Sequence, residues 1–177
     1  DFNLDFTEPW LFDIPLRFDA GAYVNNVSYE DWDERRIGGK TSLNKRVFDD
    51  FTHVIAGYKF EQVRVHNMKS GMSEEMEDQK GDKLVSTASL ELLRDTRDSL
   101  TDPSIGYEAS LMGAISPKVL GCSDNYYRNE AKFSYYYNFF DQAIIAHLGA
   151  KAGVLGMFNR ATDAKVFARC FYGGGNS

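Results

Sequence analysis

Residues 128–139, Arg-Asn-Glu-Ala-Lys-Phe-Ser-Tyr-Tyr-Tyr-Asn-Phe, and residues 144–154, Ile-Ile-Ala-His-Leu-Gly-Ala-Lys-Ala-Gly-Val, both sort their side chains by parity. In the first stretch Ala131, Phe133, Tyr135, Tyr137 and Phe139 hold the odd positions, and Arg128, Glu130, Lys132 and Ser134 the even ones. In the second, Ile144, Ala146, Leu148, Ala150, Ala152 and Val154 alternate with His147, Gly149, Lys151 and Gly153. A strand points successive side chains to opposite faces, so each stretch has one apolar and one polar face. Asp141, Gln142 and their neighbours separate the two, which reads as a hairpin. Strands of about ten residues with this dyad repeat match a membrane-spanning β-barrel. A soluble β-sandwich alternates in the same way, so parity alone leaves both open.

Composition narrows the choice. Among 177 residues there are 10 Tyr, 13 Phe and 15 Gly but only 4 Pro, a bias toward strands and turns. Mean hydropathy is -0.42 and no apolar run approaches ~18 residues, which excludes a transmembrane helix. It does not exclude a barrel, since half of each strand faces a polar lumen. The net charge of -6, with no basic cluster, argues against nucleic acid as a partner. No signal peptide is visible. The chain opens in a strand-like run (Phe2, Leu4, Phe6) and stops in Gly173-Gly174-Gly175-Asn176-Ser177, so we expect an excised part of a longer protein.

The alternation recurs along the chain. Leu16–Val24, Arg36–Asn44, His53–Glu61, Leu84–Leu92 and Tyr107–Ile115 each carry it, and Ile55 breaks the polar set of its strand. With the opening hairpin that makes seven strands and a partial one before Thr7. Short connections are expected at Glu8–Asp13, Arg46–Asp50, Asp95–Gly106 and Asp141–Gln142, and long ones at Asn26–Glu34, Met68–Lys83 and Ser116–Asn125. Strict short–long alternation suits an up-and-down barrel with tight periplasmic turns and long outer loops. Only Ser73–Lys80 offers a short helical turn, capped by Ser73, and an acidic solvated loop fits it equally well.

Several segments, in order, resemble the barrel of the BamA family of bacterial outer-membrane protein assembly factors. They are Phe6-Thr7-Glu8-Pro9-Trp10-Leu11-Phe12-Asp13, then residues 29–39 (Tyr-Glu-Asp-Trp-Asp-Glu-Arg-Arg-Ile-Gly-Gly), then Arg94-Asp95-Thr96-Arg97-Asp98 with Asp102-Pro103 and Gly106-Tyr107, and last the Gly173-Gly174 run after Phe171-Tyr172. The resemblance covers essentially the whole chain. It implies an all-β, antiparallel up-and-down transmembrane β-barrel fragment of seven or eight strands, in an open curved sheet. Residues 1–177 would then be a partial barrel domain in the bacterial outer membrane, lacking the periplasmic POTRA domains, the first strands and the C-terminal strands.

The same resemblance implies a non-enzymatic role, folding and inserting β-barrel proteins, with outer-membrane lipid, unfolded client chains and Bam lipoproteins as partners. The family's inward-folded loop carries a Val-Arg-Gly motif after the Gly-rich run, and no such motif follows Gly173–Gly175 here. A transporter of the TamA or two-partner-secretion type, or a soluble β-sandwich binding module, remains as an alternative.

The motif residues have readable physics. Pro9 donates no N–H and belongs in a turn, and Trp10 beside it suits an interfacial aromatic girdle. Arg94, Asp95, Arg97 and Asp98 place both charges at one strand end, where an ion-pair network is expected. Asp102 and Pro103 continue that turn, and Gly106 permits the backbone to re-enter the sheet. An ordinary hairpin turn with solvated charges explains these residues as well.

No catalytic, cofactor or metal site is expected. His53, His66 and His147 lack metal-ligand spacing, and Gly173–Gly175 has no Lys-Ser/Thr to make a phosphate loop. In the implied topology Cys122 and Cys170 lie in neighbouring outer loops. An oxidising exterior permits a disulfide there, while two free thiols is the reading we favour.

Overall fold

The structure is a computed structural model that describes residues 1–28, 33–66, 81–117, 120, 125–139 and 144–158. The proposed turn at Ser73–Lys80, Cys122, Cys170 and Gly173–Gly174 lie outside the described residues. Eight strands follow one another: β1 Phe2–Glu8, β2 Leu16–Ser28, β3 Asp33–Arg46, β4 Thr52–His66, β5 Gly81–Asp95, β6 Gly106–Ser116, β7 Tyr126–Phe139 and β8 Ile144–Met157. They form one sheet in sequence order, every neighbouring pair antiparallel, with β1 and β8 as its edges. A 3-10 turn, Leu11–Asp13, lies between β1 and β2. The fold is therefore all-β and up-and-down, an open sheet of the kind a barrel fragment makes. A two-layer sandwich is not formed by the described residues.

The register joins the parity sets into two continuous faces. Phe18 pairs with Leu43, Leu43 with Ala56, Ala56 with Leu90 and Leu90 with Gly113. Tyr107 pairs with Tyr135, and Tyr135 with Leu148, on the same side. The other side gathers Asp19, Lys40, Lys59, Glu91, Glu130 and Lys151. A one-residue slip in any ladder would mix the two sets, so the alternation fixes the register.

Exposure is distributed opposite to that of a water-soluble protein. Leu4, Leu90, Leu111, Leu148 and Val154 are each about 60% exposed on the apolar face. Glu34, Glu61, Lys83 and Ser134 are buried, each at 9% or less, on the polar face. Buried hydrophobics among the described residues are only Val63, Val85 and Ala114, and all three sit on the polar face. Side chains thus crowd on the polar side, and a broad apolar surface faces outward.

The connections depart from the expected alternation. Residues 29–32 form a briefer link than 9–15, and 96–105 are no shorter than 117–125. The reason is that strands run on through polar residues: Asn26, Val27 and Ser28 pair with Arg35, Glu34 and Asp33. A backbone ladder needs no apolar side chains, so it extends past the point where the apolar pattern ends. Loop length is therefore no support for the membrane reading, whereas the facing of the side chains is.

Candidate functional site

Among the described residues the polar face carries most of the charge pairs, arranged across the strands. Tyr23, Gly38 and Glu61 stand opposite one another on β2, β3 and β4. The Tyr23 hydroxyl reaches across Gly38 and donates to Glu61 Oε2 at 2.7 Å. Only glycine fits beneath that span, since a Cβ at Gly38 would lie 2.8 Å from Glu61 Cβ and 2.9 Å from the Tyr23 oxygen. Lys59 completes the group, its Nζ 2.9 Å from Glu61 Oε1. Covering a glycine with an aromatic ring ties three strands together and offsets the glycine's weak strand preference.

A second cluster forms at the end of β5 and β6. Arg97 holds Asp95 with two nitrogens, at 2.9 and 2.6 Å, and reaches Glu108 at 2.7 Å. Lys132 of β7 binds the other oxygen of Glu108 at 2.8 Å. Further along, Lys151 pairs with Glu130 at 3.0 Å, and Lys40 with Asp5 at 3.1 Å. Lys132–Glu108 and Lys151–Glu130 join neighbouring strands across β6, β7 and β8, and Lys40–Asp5 reaches from β3 past β2 to β1.

The four charged residues expected to form one network are divided among three places. Asp95 and Arg97 join the polar-face cluster. Arg94 has the opposite parity and donates to the Tyr107 hydroxyl at 2.7 Å, to Asp49 at 2.5 Å and to Thr52 at 2.7 Å. Asp98 organises the 96–105 turn, accepting from Ser104 Oγ at 2.5 Å, Ser104 N at 2.9 Å and Ile105 N at 3.2 Å. Asp102 is exposed in the same turn, its amide bonded to Ser99 Oγ at 3.2 Å, and Pro103 is half-buried beside Ser104. Gly106 has φ +107°, and a Cβ there would overlap the Thr96 backbone, so the re-entry into β6 admits no other residue without strain.

The Ser104 hydroxyl, with the amides of Ser104 and Ile105, draws the Asp98 carboxyl down from its ordinary value to about 2. The hydrogen bonds favour the ionised form, so the folded value lies below the unfolded one. Their stabilisation is complete above about pH 4 and is lost as pH falls toward 2. Asp98→Asn removes the ionised acceptor and should lower the midpoint of denaturation at pH 7, while leaving it nearly unchanged at pH 2. Denaturant titrations at the two values check this.

At the other turn, Pro9 and Trp10 line a cleft of about 260 Å³ with Arg17, Asn44, Arg46 and His53. Trp10 is 56% exposed, while Phe12 and Phe48 at the same end of the sheet are 86% and 97% exposed. His53 is tied through Nδ1 to Asn44 Oδ1 at 2.9 Å, and His147 stacks on Tyr136 at 4.5 Å. Among the described residues no group of three or more His, Cys, Asp or Glu is placed to hold a metal ion.

An outward apolar face, an inner face of charge pairs and eight sequential antiparallel strands are what an outer-membrane barrel wall requires. Comparison with known families gives a match to the Omp85 superfamily domain over residues 1–177. The chain belongs to the Omp85 superfamily. Among curated proteins it is similar to the outer membrane protein assembly factor BamA of Nitratidesulfovibrio vulgaris, 23% identical over 173 residues. That alignment covers 98% of this chain and 22% of the relative, so the chain spans about a fifth of the relative's length. An Omp85 chain of this kind resides in the bacterial outer membrane, where strands rather than helices cross the bilayer. The Tyr23–Gly38–Glu61 row was missed by sequence reading, because nothing local announces which residues of three strands stand opposite.

Proposed function

We propose that this chain is part of the wall of an outer-membrane barrel that folds and inserts other β-barrel proteins. Unfolded client chains and accessory Bam lipoproteins are its partners in this reading, and lipid contacts its apolar face. The observation that carries it is the reversed distribution of side chains: leucines outward and exposed, with Glu34, Glu61 and Lys83 inward and buried. Omp85 membership and the similarity to an assembly factor support this reading. β1 and β8, with unpaired ladder edges among the described residues, continue in this reading into further strands of a larger barrel. The role of residues 1–177 is to hold that barrel's shape, and the chemistry of the inner face is structural rather than catalytic.

Depletion of the protein that carries this segment, in its own bacterium, tests the assignment. Quantitative proteomics of outer-membrane fractions should show barrel proteins as a class falling. Undiminished barrel proteins, with one secreted passenger retained in the periplasm, would place it instead with the transporters of the superfamily.

A further inference from the structure

The apolar face is not uniform. Between β1 and β4 its side chains form a trough: Ala20, Ala22, Gly39 and Thr41 make the floor, and Phe6 and Phe60 stand on opposite banks. The trough encloses about 460 Å³, within the ~300–1,000 Å³ range of clefts that hold small molecules. Its floor is two strands wide, roughly 5 Å from strand axis to strand axis, which suits one extended hydrocarbon chain. Gly39 is central to it. A Cβ at this position would meet only the Gly21 carbonyl, at an ordinary 3.5 Å, so the space above Gly39 is open rather than filled by a neighbour.

A cation stands at one end. Following β3 from Thr41 toward the 47–51 turn, the same face presents Leu43 and then Lys45, ~13 Å from Thr41 along the strand. Lys45 lies between Leu16 and Val54, apolar residues on the flanking strands. It is exposed, and among the described residues it has no ionic partner. An ammonium placed on an apolar face near a strand end meets the level of lipid headgroups, where its flexible stem reaches the interface.

We infer that the trough and Lys45 together form a binding site for one anionic phospholipid, an acyl chain lying over Gly39 and its phosphate held by Lys45. The lipid belongs to the leaflet that the 9–15 and 47–51 turns contact. This rests on the apolar face being the lipid-facing one, and it goes beyond general contact with lipid by naming a residue-level site and a headgroup charge. A lipid seated here would smooth the surface between the β1 and β4 aromatic banks.

Native mass spectrometry of the full protein in detergent, loaded with phosphatidylglycerol or phosphatidylcholine, tests it. The wild type should retain one lipid, with phosphatidylglycerol preferred about fivefold, the effect of one lysine near an anionic surface. Gly39→Leu fills the floor and should abolish retention of either lipid, and Thr41→Leu serves the same purpose should Gly39→Leu not fold. Lys45→Gln should keep the bound lipid but lose the preference. Ala131→Leu, on the same face four strands away, should change nothing. Equal retention of both lipids by the wild type, or undiminished retention after the trough is filled, would overturn the inference. Either result would leave the depletion phenotype untouched, so this site and the assembly role fail separately.

Discussion

Leu111→Arg is expected to destabilise the inserted protein by ~2–4 kcal/mol, the cost of an arginine on a lipid-facing strand near mid-bilayer. Leu111 is 60% exposed, at the middle of β6, between Leu92 and Ala131 on the apolar face. In a water-soluble sheet such a replacement would fall within ~0.5 kcal/mol of neutral. The adjacent residue makes the control. Met112 has the opposite parity and stands between Glu91 and Glu130. Met112→Arg introduces the same group beside two carboxylates and should be tolerated or slightly favourable. Equilibrium unfolding in lipid vesicles measures both, and equal effects of the two would contradict the assignment of faces.

The second large effect is expected at Arg97. Its side chain is 15% exposed, and it separates Asp95 and Glu108, which are 15% and 12% exposed. Removing the guanidinium leaves two nearly buried carboxylates opposite one another on β5 and β6, with Lys132 still bound to Glu108 and no such partner left on Asp95 among the described residues. Arg97→Met should therefore cost ~2–3 kcal/mol, since the loss is dominated by partners left unsatisfied. Arg97→Lys should recover only part, because an ammonium cannot engage both Asp95 oxygens as the planar fork does. The Arg17–Asp19 pair provides the contrast: at 55% and 30% exposure, its removal should cost under ~1 kcal/mol. The same vesicle unfolding assay ranks the three.

How far the sequence could be read depends on the range of the interaction. Parity within 128–154 is a local property, repeated every second residue, and it yielded both strands and both faces. The same rule held further than it was applied. Arg94 and Asp95 are consecutive in a strand, so they point to opposite sides and cannot share one network, and the structure divides them in that way. The Tyr23–Gly38–Glu61 row is different in kind. It depends on the register of three strands, and no residue near Tyr23 reveals that Gly38 lies beneath its ring. Strand ends were misjudged at Asn26–Glu34 for a related reason: the apolar pattern stops where the bilayer would, but backbone pairing does not need it. Val63, Val85 and Ala114 show the converse, apolar residues drawn to the polar face where crowding excludes water. The trough over Gly39 was also invisible, because its floor and banks come from four strands.

The central claim is that the parity of β7 and β8 separates lipid from lumen. Spin labels placed one at a time from Ile144 to Val154, in protein reconstituted into bilayers, test it most directly by collision with oxygen and with a water-soluble nickel chelate. The account predicts a period of two: oxygen dominant at Ile144, Ala146, Leu148, Ala150 and Ala152, and chelate dominant at His147, Gly149, Lys151 and Gly153. Chelate access at every position, or a period of two with the phases exchanged, would contradict it.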